Sequence, residues 1–600
     1  MIDRRLFLWA PRVVAVLGFV IVVSAALRTG WTRISTDFPN YYIGAVAARH
    51  HDSLRDLYDW TWFARKTNYA GIENQLGGYV PQSPATMLPI LPIAGFPPLT
   101  AKRIWLVLNL VLLVTVIGVL ARITGVRWEY LIILLLCGFR SLMTNLIYGQ
   151  YYIFLLFLLT LTLYTFARRR DTVSGFVCGA TFAMKLYSGP MLIYFVSRRA
   201  WKSVLGMVSG VVCVGAIALL LFGWSDIAFY LTHVLPRTLE GNSVDPYNLL
   251  TTTPNMLLHR LFLREAGLNP HPLYEAPRLF FFLRTATQLG PVVFAAMGVI
   301  WRAEADRCRD LAWIFIMLLL ISTSAAVHSY ILVLIPVAVL LRGASVPKTL
   351  YLFASYSILN LSPAPALFPK IWTVLVLFFV VGYDYLRAIE VRWAMVALAA
   401  VGLISALDAQ WRMKNYGAEP GSRYPQIAVE PGALFSDYPV VTRCGIFYQG
   451  MMSRSGREGY VIRRLHDGRI DTIDLGGNEL HPVAAGDGCG IEFEHVEQGR
   501  STFLRLDPLT SLTQVSAAPA AGLYNGVVSP DGKWRAWVRQ TLTSEQLWLE
   551  ARATGISKEV AGGSCNNHSP AWELDSSALI FSSDCGRAYG LPALYRAPVN

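Results

Sequence analysis

From Val13 to Leu407 the chain is a succession of apolar runs separated by short polar or basic joints. Most runs approach the ~20 residues that cross a bilayer as a helix. The first covers residues 11–27. Residues 30–98 follow, broken by Pro and Gly, and suit an interfacial or re-entrant piece better than a span. Further spans are expected at 100–121, 128–147, 150–166, 203–222, 285–301, 310–327, 329–341, 349–361, 370–386 and 392–407. Residues 172–197 are basic at both ends, which predicts two short helices meeting near Lys185 and Pro190. With that pair counted as two, about 13 crossings result. Residues 224–280 then form a second loop on the side of 30–98.

Beyond about Gln410 the pattern changes to short β-type runs among Gly, Ser and Asp. GDGCGIEFEHVEQGRSTFLRL, SPDGKWRAWVRQTLTSEQLWLEA and ELDSSALIFSSD align on Asp487, Asp531 and Asp575, an offset of 44, with a weaker copy near Cys444. Paired strands at a period of roughly 40–50 residues are a propeller-blade pattern. About four units fit, which makes a small or incomplete ring. The predicted architecture is a polytopic α-helical membrane domain over residues 1–410 and an all-β, propeller-like domain over residues 411–600.

The net charge of +13 changes this picture only in one respect. The cations sit in the short joints, as at Arg122 and Arg127, Arg168 to Arg170, Arg198, Arg199 and Lys202, and Arg302, Arg307 and Arg309. That is the positive-inside pattern of a protein whose partner is a lipid bilayer, and it leaves no nucleic-acid surface. The basic start MIDRR predicts a cytoplasmic N-terminus, so 30–98 and the C-terminal domain fall outside the plasma or inner membrane. A cleaved signal peptide is the alternative reading of the first run. Cys137, Cys178, Cys213 and Cys308 read as buried apolar fillers. Cys565 and Cys585 are the candidate disulfide of an oxidising compartment. Cys444 and Cys489 hold equivalent places in different repeats, which does not by itself make them neighbours.

Candidate chemistry starts in WTRISTDFPNYYIGAVAARHH, residues 31–51. Asp37 precedes Phe38, Pro39 and Asn40 and reads as a helix N-cap. It equally reads as a carboxylate at the outer membrane face, able to act as a general base. Lys185, in GATFAMKLYSGP, is either a snorkelling lysine or a cation suited to a phosphate. His328 and Tyr330, in STSAAVHSYILVLIP, are a satisfied core pair or a second polar group at the same face. Asn145 and Gln150, in TNLIYGQYY, are turn caps or sugar contacts. Tyr41, Tyr42, Tyr79 and Gln82 are interfacial belt residues or sugar and acceptor contacts. The span count puts Asp37, Gln82, Gln150, Lys185 and His328 on one side. HHDSLRDLYD, with Asp52, Asp56 and Asp59, reads as a solvated amphipathic helix rather than a metal site, so neither metal nor cofactor is expected.

TDFPNYYIGAVAA, DLYDWTWF, YVPQSPATMLPILPIAGFPPLTAKRIWLVLNL, NLIYGQYYIFLLFLLTL, MKLYSGPMLI and HSYILVLIP, in that order, resemble glycosyltransferase family 87 over roughly residues 10–390. These are GT-C-type, polyprenol-phosphate-mannose-dependent α-mannosyltransferases. The resemblance implies a membrane enzyme with an external site, a polyprenyl-phosphate sugar donor, a glycan, glycolipid or glycoprotein acceptor, and inversion at the sugar. It also implies a catalytic base in the first external loop, matched by Asp37. Lys185 and His328 then hold the donor phosphate. The chain departs from the family's pattern at Lys185-Leu186, Gln150-Tyr151 and His328-Ser329, where Lys-Pro, Gln-Asn and a doubled His are usual. SPDG units resemble the repeats of TolB-like propellers. Two other readings are a flippase for lipid-linked sugars, which uses the same outer polar face, and a sensor or scaffold whose propeller binds a ligand or protein outside while the spans only anchor it.

Overall fold

The computed structural model describes every residue except 1–3, 35–36, 250, 303–305, 362–364, 455–456, 487, 508–511, 515–525 and 600. Six helices are long and apolar enough to cross a membrane: Trp9–Gly30, Pro98–Thr124, Trp201–Phe222, Pro277–Trp301, Pro369–Arg387 and Val391–Tyr416. Trp128–Cys137 and Phe139–Tyr148, expected as one straight span, meet at 80° and make a seventh if taken together. The bend falls at Gly138, where an added Cβ would lie 2.6 Å from the Tyr356 ring and 2.7 Å from Asn360 Cβ. Only glycine fits that contact, and glycine weakens a helix interior. Tyr152–Ala167, Leu186–Ser197 and Val327–Leu341 are apolar but shorter than a span. Among the described residues, six helices, or seven with the bent pair counted as one, are thus long and apolar enough to cross, where about 13 crossings are expected.

Asp171–Met184 ends at a break that begins with Lys185 and leads into Met191–Ser197. Glycines clamp it to Trp201–Phe222. A Cβ on Gly175 or Gly179 would lie 2.0 Å from the carbonyl oxygen of Ser203 or Met207, and one on Gly206 or Gly210 would lie 2.2 Å from that of Thr172 or Phe176. Small residues four apart on both helices let the backbones touch, the packing that substitutes for hydrophobic burial inside lipid. The buried stripe on Trp201–Phe222 is narrow, running through Ser203, Gly206, Met207, Gly210 and Val214. Cys213 falls outside it and is exposed, contrary to its reading as a core filler.

The basic joints gather at one end of the helical region. Arg307 pairs with Asp171 at 2.7 Å, Arg198 with Asp310 at 3.0 Å and Arg309 with Asp384 at 3.0 Å. At the opposite end lie the loops after Gly30, the Lys185 break and the strand region. HHDSLRDLYD is not an amphipathic helix there: among its residues only Asp56–Tyr58 is helical, as a short 3-10 turn. Leu54, Leu57 and Tyr58 are drawn into the core, and Leu54 N donates to Asp226 Oδ2 at 3.1 Å.

From Gln426 onward the chain forms four four-stranded antiparallel sheets. Three are built from consecutive strands, starting at Ser436–Thr442, Asn478–Ala484 and Val527–Val528. The fourth holds Asn567–Trp572, Ala578–Ser583 and Ala593–Pro598, with Gln426–Ile427 beside the last. The first strand of the region thus completes its final sheet. Asp531 and Asp575 fix tight turns by accepting from Lys533 N at 3.0 Å and Ser577 N at 2.9 Å; Asp487 lies outside the described residues. Cys565–Cys585 and Cys444–Cys489 are both disulfides. The second joins the first turn of one sheet to the same turn of the next, where Arg443 N donates to Gly488 O at 2.7 Å. Equivalent turns are neighbours when their sheets are adjacent.

The strand region seats firmly on the helical one. Arg237 pairs with Asp584 at 3.3 Å and Arg587 with Glu265, all four side chains being buried. Arg65 meets Glu494 at 2.5 Å, and Trp60 Nε1 donates to Tyr589 O at 3.0 Å.

Candidate active site

Asp37 stands immediately before the helix Phe38–Arg49, yet its side chain makes no cap bond. A capping carboxylate accepts from the N–H of the second or third helical residue. The second is Pro39, which has no N–H. The third, Asn40, gives its N–H to the backbone oxygen of Asp37 at 3.1 Å. The proline that favours reading a cap in the sequence thus removes one of the cap's donors. The carboxylate is left facing the side chain of Gln150, which lowers its pKa.

Gln150 is a buried hub. Its Oε1 accepts from Tyr41 Oη at 3.2 Å, and its Nε2 lies 3.4 Å from His328 Nδ1. Gly149 aims it inward: φ is +64° there, closing the helix Phe139–Tyr148. Asn145 braces the same corner, its Nδ2 donating to His328 O at 2.9 Å. Lys185 Nζ lies 4.6 Å from the centre of the Tyr152 ring, 5.7 Å from Tyr41 and 5.8 Å from Tyr151. Ring faces attract a cation, so this cage holds the ammonium over the site without neutralising it. The Tyr152 ring lies 5.0 Å from that of His328. Burial pushes the Asp37 carboxyl up to about 6, against the pull of the Gln150 amide and of Lys185 and Lys102. A carboxylate poised there is a competent base near neutral pH.

The structure therefore brings Asp37, Tyr41, Asn145, Gln150, Lys185 and His328 together. Tyr79 stands one layer back, packed on Gly44 of the Asp37 helix and donating to Ser83 O at 2.8 Å. Tyr330 is also behind, donating to Thr252 O at 3.3 Å. Tyr42 turns away, its hydroxyl committed to Phe96 O at 2.8 Å. Gln82 enters through its backbone oxygen, which accepts from Tyr58 Oη at 2.9 Å.

Three groups near the site escaped the sequence reading. Lys102 is fully buried and donates to Arg33 O and Ile147 O, each at 2.7 Å. Lys370 is buried 4.5 Å over the Tyr330 ring. Tyr187 meets Tyr152 hydroxyl to hydroxyl at 3.3 Å. Lys102 has no signal in the sequence, because Arg103 beside it makes the pair look like another solvated basic joint.

Residues 82–323 match the family described as Glycosyltransferase family 87. That segment carries Gln82, Asn145, Gln150 and Lys185, with Asp37 and His328 on either side of it. No curated protein matches the chain. Among solved structures, a protein described as TolB from Agrobacterium tumefaciens is similar at 18% identity, with 27% of this chain and 58% of that one covered and a TM-score of 0.13. TolB from Acinetobacter baumannii is similar at 16% identity over 28% of this chain and 44% of that one, at a TM-score of 0.14. The chain thus spans 58% and 44% of those two proteins, and scores this low assign no shared fold. Across residues 82–323 the chain is thus similar to glycosyltransferase family 87.

Proposed function

We propose that the protein transfers a hexose, mannose by its family resemblance, from a polyprenyl-phosphate donor to an extracytoplasmic glycan, glycolipid or glycoprotein. The supporting observation is the Asp37 carboxylate, free of any cap bond, beside Gln150 and raised by burial to about 6. Asp37 takes the proton from an acceptor hydroxyl as that oxygen attacks the anomeric carbon. The bond from that carbon to the donor phosphate breaks, and its electron pair leaves on the phosphate oxygen. Lys185, with His328 beside it, stabilises the charge that develops there. Tyr41, Asn145 and Gln150 are suited to hold sugar hydroxyls. One displacement inverts the anomeric configuration.

The orientation follows from charge. The end holding the basic joints lies in the cytoplasm, and the Asp37 end and the strand region lie outside, where two disulfides are at home. Residues 1–410 form the catalytic membrane domain and residues 411–600 the outer domain. Four four-stranded sheets with the first strand completing the last suit a small propeller.

The test uses wild type and Asp37→Asn, purified in detergent with equal folding, given polyprenyl-phosphate mannose and a membrane extract. Transfer with inversion by the wild type and its loss in Asp37→Asn are expected. Equal transfer by both proteins refutes the base, retention refutes the single displacement, and no transfer by either refutes the donor.

A further inference from the structure

A cavity of about 230 Å³ lies where the strand region meets the first loop and the segment after residue 224. Three observations single it out. Its walls are rich in rings: Tyr58, Trp60 and Phe229 from the helical region face Tyr438 and Tyr589 from the strand region. Its charged lining is four carboxylates, Asp56, Asp59, Asp437 and Glu545, against the guanidinium of Arg55 and the ring of His568, whose Nδ1 lies 3.6 Å from Asp437 Oδ1. Finally, His233 enters from a π-helical turn, Tyr230–Val234, a distortion that frequents functional sites. The His233 ring stacks 4.4 Å from Phe229 and meets Thr232 Oγ1 at 2.9 Å through Nδ1. Its Nε2 is buried and has no hydrogen-bond partner among the described residues. A buried polar nitrogen without a partner is costly, and a ligand hydroxyl would relieve it.

Aromatic faces with carboxylate and amide edges bind sugars. Ring C–H groups pack on the aromatic faces, and the hydroxyls bond the acceptor oxygens. The carboxylate excess disfavours an anionic ligand. The cavity also adjoins the site. Tyr58 forms its inner wall, bonds Gln82 O at 2.9 Å and stands 5.4 Å from the Tyr79 ring. Tyr79 in turn packs on Gly44 of the Asp37 helix. A single layer of rings separates the cavity from that helix.

We infer that this cavity is the acceptor-holding site: it binds an uncharged oligosaccharide, gripping it between the strand region and the first loop, one layer of rings from the Asp37 helix. This rests on the transferase reading above, and the experiment separates the two. The full-length protein in lipid nanodiscs is titrated with neutral manno-, gluco- and galacto-oligosaccharides and with an oligouronate, without donor. Transfer is then measured against increasing membrane extract. The variant is Glu545→Ala/Gln540→Ala, which trims two lining side chains paired across one exposed hairpin.

The wild type is expected to bind at least one neutral oligosaccharide and not the oligouronate. The variant is expected to bind about tenfold more weakly, with a tenfold higher half-saturating acceptor and an unchanged maximal rate. Asp37→Asn is expected to bind as the wild type does. Absence of neutral-sugar binding, preference for the oligouronate, or a variant indistinguishable from wild type overturns the inference. Binding as expected with no transfer by the wild type instead indicts the donor reading and leaves the cavity standing.

Discussion

Two aspartates at helix starts, at opposite ends of the bundle, show how the same local sequence logic yields different chemistry. Asp306 precedes Arg307–Ile321 and accepts from Cys308 N and Arg309 N at 3.1 and 3.2 Å, as an N-cap should. Asp37 precedes Phe38–Arg49 and makes no cap bond. The difference is one residue. Cys308 has an N–H to give at the second helical position, and Pro39 does not. A carboxylate released from capping becomes available to Gln150, and through burial becomes basic enough to move a proton. Occupying a cap position is therefore no evidence against catalysis; the following residues decide what the carboxylate is free to do.

The sharpest test of this contrast is Asp37→Asn, which keeps the shape and removes the base. Loss of general-base assistance lowers kcat by about 10²–10⁴-fold. The same variant should raise thermal stability. A folded carboxyl lifted from 3.8 to about 6 opposes folding once ionised, by about 3 kcal/mol at neutral pH and by nothing below the unfolded value. A higher melting temperature with no activity separates a base from a structural cap, whose loss would lower both. Next in size is pH. With the base at about 6, kcat/KM is level above that pH and falls about tenfold per unit below it; a profile flat to pH 4.5 would contradict the assignment. Pro39→Ala restores the missing N–H and offers Asp37 a competing partner. A several-fold lower kcat with the acid limb moved to lower pH is expected, since bonding to the charged form favours it. Smallest is Asp306→Ala, which removes a working cap: about 1 kcal/mol of stability is lost, read by thermal melting, and kcat is unchanged.

Most of the site was legible because its members are polar residues stranded in apolar sequence. Asp37, Gln150, Lys185 and His328 stand out for that reason, and alternation of the spans puts them at one end without any structure. What alternation cannot give is the direction of a side chain. Tyr42 and Tyr41 are adjacent, and one turns to Phe96 while the other reaches Gln150. Lys102 hides because a lysine at a helix end looks like a solvated one. The strand repeat was readable from Asp531 and Asp575, whose turns recur. The pairing of Cys444 with Cys489 needed to know that their sheets are adjacent. Span number is the least legible feature, because hydropathy sees neither the 80° bend at Gly138 nor how short some of the apolar helices are.

The joint between the two regions has a consequence for timing. Asp584, Arg587 and Tyr589, together with the strand Ala593–Pro598, all follow the membrane helices in chain order. They supply both buried ion pairs to the helical region, one wall of the cavity and the partner for the strand Gln426–Ile427. Every membrane helix is already made before they appear. A nascent or clipped chain therefore carries its Asp37 cluster in the bilayer with the roof unfinished, and Glu265 and Arg237 left as unpaired buried charges. The joint between the two regions closes only once this part of the strand region has folded onto the helices.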